Sequence, residues 1–214
     1  YTFSMNPSAR FHDGTYILAQ DVIFSIKRVL DPTNHSPQTW LFDKIVGAKE
    51  FMEGDTKEIE GLEARNDYTL RIEITKPFAP FIQYLAMPSA AIVNSSKSDK
   101  IRNVPAGSGP WKLEFWEKDG ELIFSRNDDY WGETPIMSGL KIRILSETLT
   151  QSAEFEVGNL DIFNIPALEL LQWTQKKEWR DNIFSIDELN IWYIAMNCSR
   201  KPFDDVLVRK AMNI

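Results

Sequence analysis

Across 214 residues, 31 acidic side chains against 24 basic ones leave a formal net charge of −7. That balance excludes a general nucleic-acid binder, which needs concentrated Lys and Arg against phosphate; Lys176-Lys177 and Arg209-Lys210 are isolated pairs. With 43% hydrophobic and 26% charged residues the chain has a globular composition, long enough for one large domain or two small ones.

The predicted elements begin at the first residue. Tyr1, Phe3 and Met5 alternate with Thr2 and Ser4 as in a half-buried strand. Asp13-Gly14 marks a turn. From Ala19 to Leu30 the period becomes helical, with Val22, Ile23, Ile26, Val29 and Leu30 on one face. Asp31-Pro32 stops that helix, because a residue before proline is pushed away from helical angles. A second helix is expected from about Pro37 to Met52, ended by Gly54. A hairpin follows, with strands near Ile59–Ala64 and Leu70–Ile74 about Asn66-Asp67. Pro77 and Pro80 open a short apolar helix, Ala90–Val93 reads as a short buried strand, and Asn94 to Arg102 as an exposed polar segment.

Pro105-Ala106-Gly107-Ser108-Gly109-Pro110 is the strongest punctuation in the chain and predicts a subdomain boundary. Beyond it, strands are expected over Trp111–Trp116, Glu121–Arg126 and Leu140–Leu145. A helix over Thr148–Val157 is closed by Gly158-Asn159, residues that accept the left-handed conformation of a helix end. Leu160–Phe163 reads as a strand, Pro166 to about Lys176 as a helix, and Ile183–Ile186 and Ile191–Met196 as the last strands. Asp205 to Ile214 reads as a helix just begun. Strands and helices mix without regular βαβ alternation, so the fold class is α/β in the mixed, α+β sense. The chain opens in mid-strand without an initiator Met, so a piece of a longer protein is expected.

The longest apolar stretch, Ala79 to Val93, is interrupted by Pro80, Gln83 and Pro88 and is no membrane span. Cys198 is the only cysteine, which leaves no internal disulfide and no cysteine-rich metal site. His12 and His35 lack the neighbours a metal centre needs, and read as surface or turn histidines. No metal and no cofactor is expected. Gly107-Ser108-Gly109 lacks the Gly-Lys-Ser/Thr continuation of a phosphate loop. Seven tryptophans are more informative, because Trp40, Trp116, Trp131, Trp179 and Trp192 stand in polar contexts. Aromatics there either wall a ligand cleft or anchor loops and core.

Four blocks, in order, resemble one family. They are Tyr1-Thr2-Phe3 with Phe11-His12-Asp13-Gly14-Thr15 and Gln20-Asp21-Val22-Ile23-Phe24-Ser25; Asp67-Tyr68-Thr69-Leu70 with Lys76-Pro77-Phe78-Ala79-Pro80-Phe81 and Leu85-Ala86-Met87-Pro88; Gly107-Ser108-Gly109-Pro110-Trp111 with Arg126-Asn127, Tyr130-Trp131-Gly132; and Asn197 with Lys201-Pro202-Phe203-Asp204-Asp205-Val206, Val208-Arg209 and Ala211. Together they are similar to the family 5 extracellular solute-binding proteins of ABC importers, which include oligopeptide-, dipeptide- and nickel-binding proteins. The chain departs mildly at Gln20, where an acidic residue is common, and at Ser108, where threonine is. The stretch Ser146 to Glu156 lacks the family's usual pattern.

The resemblance implies lobe I of a two-lobed, type II periplasmic-binding-protein fold with an extra subdomain, truncated. Residues 1–104 would be that subdomain, 105–187 the central sheet part of lobe I, and 188–214 the crossing strand and start of lobe II. It further implies capture rather than catalysis. Two lobes close on a small molecule or peptide and present it to the permease subunits of an ABC transporter. The protein would be a monomer, periplasmic or anchored outside the cell as a lipoprotein. By resemblance Trp40 matches an aromatic that faces the cleft in nickel-binding relatives, the competing role being helix packing. Ser89 and Ala90 border the cleft. The nickel binders carry an arginine near there and this chain has none, which speaks against a metal chelate. Of Trp192 and Tyr193 on the crossing strand, one faces the cleft. An oligosaccharide ligand, a hydrolase with an aromatic glycan cleft and a module binding no small ligand are the alternatives.

Overall fold

A computed structural model describes residues 1–100, 107–187 and 193–213. The expectations for Pro105-Ala106, Ile191 and Trp192 lie outside the described residues. The chain divides into two compact units, Tyr1–Ser146 and Glu147–Ile214, a division that falls inside the 105–187 segment.

In the first unit β1 (Thr2–Ser4) is followed by α1 (Ala19–Leu30), the bounds the apolar period predicts. Ile23, Ile26, Val29 and Leu30 are buried on one face, each contributing about 1.5–3 kcal/mol relative to exposure. The helix stops as expected at Asp31, whose backbone turns extended (ψ 117°) while its carboxylate Oδ1 accepts from Thr33 N at 2.9 Å. The same buried face also carries Asp21 and Ser25, which apolar spacing does not foresee. Ser25 Oγ donates to Asp21 O at 2.6 Å and accepts from Val93 N at 2.9 Å.

No continuous helix spans 37–52. A single 3-10 turn at Thr39–Leu41 is separated from α2 (Ala48–Glu53) by Ile45, which bridges to Ile74, and by Gly47. Gly47 sits at φ +81°, and a Cβ there would lie 2.7 Å from Glu60 N. Left-handed backbone and close approach both demand glycine, and both break the helix.

The hairpin forms as β2 (Leu62–Asn66) and β3 (Thr69–Ile72). The antiparallel sheet has order β1-β3-β2, with Phe3 opposite Leu70 and Ala64 opposite Leu70 on the other side. α1 and this sheet enclose Leu30, Leu41, Phe42, Ile45, Ile72 and the first residue of α3 (Phe81–Tyr84). Ala90–Val93 is no strand. Pro88–Ala90 is a 3-10 turn, and the following backbone satisfies itself on side chains, Val93 N on Ser25 Oγ among them.

β4 (Trp111–Trp116), β5 (Glu121–Arg126) and β6 (Gly139–Arg143) form an antiparallel meander, β4 and β5 with the predicted bounds. Leu140 and Ile142 pair with Phe124 and Leu122 yet remain exposed.

In the second unit α4 (Thr148–Glu156) ends as predicted at Gly158, φ +80°. α5 (Leu170–Gln175) is preceded by turns from Ala167, shorter than the expected helix. Phe155, Phe163, Trp173 and Trp179 cluster with centroids 4.8–5.6 Å apart, so Trp179 is an anchor of packing. α6 (Val206–Ala211) is the expected last helix. Leu160–Phe163, Ile183–Ile186 and 193–196 form no strands among the described residues. Four-residue apolar runs lack a period that distinguishes a strand from an anchored loop.

Candidate functional site

Two constellations in the first unit gather the chemically distinctive residues. The first joins blocks far apart in sequence around the loop Gly107–Pro110. Phe11-His12-Asp13-Gly14-Thr15 is a tight turn. Gly14 takes φ +86°, Phe11 N donates to Thr15 O at 2.8 Å, and Asp13 Oδ1 accepts from Thr15 N at 2.9 Å and Thr15 Oγ1 at 2.6 Å. Phe11 is buried with Ala9 and Ile17, so the turn is pinned from below. His12 then reaches the third block. Its N–H donates to Gly107 O at 2.8 Å, and its ring Nε2 lies 3.0 Å from Gly109 O, which makes Nε2 the protonated ring nitrogen. A Cβ on Gly107 would sit 3.0 Å from His12 Cε1, so the bare glycine lets the ring lie flat against the loop.

The later residues of the same block, Asn127 and Trp131, close on that loop as well. Buried Asn127 donates through Nδ2 to Gly109 O at 3.2 Å and through its backbone N to Pro110 O at 2.8 Å. Trp131 Nε1 donates to Ser108 O at 3.2 Å. Trp131 thus serves as an anchor. The residues of the family pattern here are braces, their side chains hydrogen-bonded to the carbonyls of the loop. Ser108 enters through its carbonyl, so serine in place of threonine leaves that bond intact.

Asp13 ties the turn to the segment after the Pro88–Ala90 turn. Its Oδ2 meets Lys97 Nζ at 2.5 Å and Asn94 Nδ2 at 3.2 Å. Partial burial pushes the Asp13 carboxyl up, but the hydrogen bonds from Lys97 and Thr15 outweigh it and hold its pKa at about 2, below the ordinary 3.8. A depressed carboxylate pKa contributes stability above its unfolded value and loses it as pH falls toward the folded one. Asp13→Asn is therefore expected to be less stable than wild type at pH 7, and the gap should close between about pH 4 and pH 2. Urea titrations of both proteins across that range check this; a gap independent of pH would contradict it.

The second constellation is aromatic. Trp40, at the 3-10 turn, remains 41% exposed. Its ring meets Tyr84, at the end of α3, edge to face with centroids 5.0 Å apart and planes at 87°. Phe78 meets the same Tyr84 at 5.4 Å, and Lys44 Nζ lies 5.2 Å from the Phe78 centroid. The indole is held yet not covered. Tyr84 and Phe78 were not singled out by sequence reasoning, because nothing local links positions 40, 78 and 84. From Tyr84 the chain runs through Met87, whose N–H donates to Tyr84 O at 3.1 Å, into Pro88–Ala90. Ser89 and Ala90 are half-buried there, Ala90 against the main core. In the second unit Tyr193 is 80% exposed.

The last block is also capping chemistry. Asp205 Oδ1 accepts from Leu207 N at 2.8 Å at the start of α6, and Arg209 Nη1 donates back to Phe203 O at 2.6 Å.

A sequence model of the bacterial extracellular solute-binding proteins, family 5 Middle, matches residues 1–214. The probable D,D-dipeptide-binding periplasmic protein DdpA of Escherichia coli is 27% identical over 222 residues, covering all of this chain and 40% of that protein. The periplasmic oligopeptide-binding protein OppA of the same organism is 29% identical over 228 residues, again covering all of this chain and 41% of its own length. The chain thus spans about two fifths of the curated relatives it matches. Among solved structures, Haemophilus influenzae OppA in complex with RPPGFSPFR superposes with a TM-score of 0.78 at 23% identity, over 99% of this chain and 43% of that one. The mixed α/β architecture is therefore that of part of a periplasmic-binding-protein fold.

Proposed function

The chain belongs to family 5 of the bacterial extracellular solute-binding proteins, and from that premise we propose that it is part of a transport receptor that captures a peptide. The full protein holds the solute between two lobes and delivers it to the permease of an ABC importer. In this reading residues 1–104 are the extra subdomain of lobe I, 105–187 its central sheet part, and 188–214 the crossing strand and start of lobe II. The receptor acts as a monomer in the periplasm, or outside the cell on a lipid anchor. Relatives named for dipeptides and oligopeptides support peptide over sugar as the solute.

Trp40 carries the reading. An indole held in a T-shaped contact with Tyr84 and still 41% exposed presents apolar area at low entropic cost, as a wall for a ligand side chain requires. Ser89, Ala90 and one of Trp192 and Tyr193 complete the proposed border. Capture needs differential affinity for the closed state and no bond chemistry.

In the full-length protein Trp40→Ala is expected to weaken peptide affinity about tenfold, with Trp40→Phe recovering most of the loss. Thermal unfolding should move little, since the side chain is half open to water. Titration calorimetry with a peptide that co-purifies, identified by native mass spectrometry, measures this. Unchanged affinity alongside lowered stability would leave Trp40 a packing residue and remove the ground for this site.

A further inference from the structure

A second cleft lies away from the aromatic patch, where the Asp13-Gly14 turn faces β4 and the loop after β5. It encloses about 440 Å³, and Arg10, Phe11, His12, Lys112, Asn127 and Asp129 are among its lining residues, a size ordinary for small-molecule sites. We propose that this cleft binds an oxyanion group, a carboxylate or phosphate, on a small ligand. The proposal is independent of the peptide site.

Charge is the first argument. The chain as a whole is acidic, at −7, yet among the described lining residues this cleft carries Arg10 and Lys112 against one carboxylate. That carboxylate, Asp129, has a side chain 91% exposed and lies 3.8 Å from Lys112 Nζ. A pair so hydrated and so long is weak, and an anion entering the cleft displaces it at little cost.

Preorganisation is the second. Arg10 donates through Nη1 to Gly14 O at 2.8 Å and through Nη2 to the Tyr16 hydroxyl at 2.5 Å, and its guanidinium lies 3.8 Å from the Tyr16 ring centroid. Among the described residues two of its five N–H donors are used, and the fork is already oriented. The walls are equally fixed, because His12 and Asn127 join the turn to the Gly107–Pro110 loop. Phe11 is the apolar side chain among the described lining residues, facing the carbon part of a ligand.

Calorimetric titration of the full-length protein at low ionic strength, with inorganic phosphate and separately with succinate, tests the site. Saturable binding of one probe or both is expected, and the preferred probe identifies the oxyanion. Lys112→Gln and Arg10→Gln should each weaken it about tenfold or more, the scale of a charge-assisted hydrogen bond. Asp129→Asn should tighten it by up to about fivefold, since the competing carboxylate is gone. Lys112→Gln guards against a folding defect, because Arg10 also ties its own turn. Peptide affinity measured on the same variants should stay unchanged. Absence of binding by wild type, or binding that neither cation substitution weakens, overturns the proposal.

Discussion

Asp21→Ala is expected to lower the unfolding free energy by about 2–4 kcal/mol, a large effect for a polar residue near a helix start. The buried Asp21 carboxylate accepts three hydrogen bonds. Oδ2 takes Leu18 N at 2.9 Å, while Oδ1 takes Ser95 N at 3.0 Å and Ser95 Oγ at 2.7 Å. The first closes the N-terminus of α1 and the other two fasten the segment after Pro88–Ala90 to it. Alanine orphans all three donors, and their desolvation is then uncompensated. Asp21→Asn should fall between, since one oxygen persists while an amide N–H₂ faces the remaining donors. Urea unfolding at constant slope measures both. A loss below about 0.5 kcal/mol for alanine would mean that water or neighbouring groups satisfy those donors.

Phe81→Ala is expected to cost about 3–5 kcal/mol. Phe81 is fully buried in the main apolar cluster, with its ring 5.4 Å from that of Tyr1. The consequence reaches the aromatic patch. Phe81 opens the one-turn helix that ends at Tyr84, and Tyr84 buttresses Trp40. Peptide affinity of the folded fraction should therefore fall as well, whereas Leu30→Ala, in the same core but on α1, should cost comparable stability with a smaller effect on affinity. Equal affinity losses in the two variants would dissociate α3 from the patch.

The two regions of the sequence that predicted themselves are those where one local signal dominates. α1 combines a clean apolar period with Asp31-Pro32, and β4 and β5 flank Lys118-Asp119-Gly120, with Asp119 at φ 60°. The expected helix over 37–52 failed because its interruption is tertiary: Gly47 is a glycine for the sake of Glu60, and Ile45 pairs with Ile74. Apolar runs at 160–163 and 183–186 resembled strands but have no partner strand among the described residues. The strand expected over Leu140–Leu145 formed as β6, with Leu140 and Ile142 exposed, since a pattern reports a face and not what covers it. For the site, the polar setting of Trp40 announced its exposure, but Tyr84 is joined to it only by folding. His12 read as an ordinary turn histidine, and its bond to Gly109 spans 97 positions, beyond the reach of any spacing argument. The family pattern marked the right residues there without revealing that they work as braces.

The Gly107–Pro110 loop behaves as a welded joint rather than a pivot. Ring, amide and indole donors arrive from two flanks and occupy consecutive carbonyls, so turning the β4-β5-β6 meander against the α1 subdomain would break several bonds at once. A tilt imposed at one end is thereby transmitted whole to the other, as through a rigid lever, and flexing is left to parts of the polypeptide elsewhere.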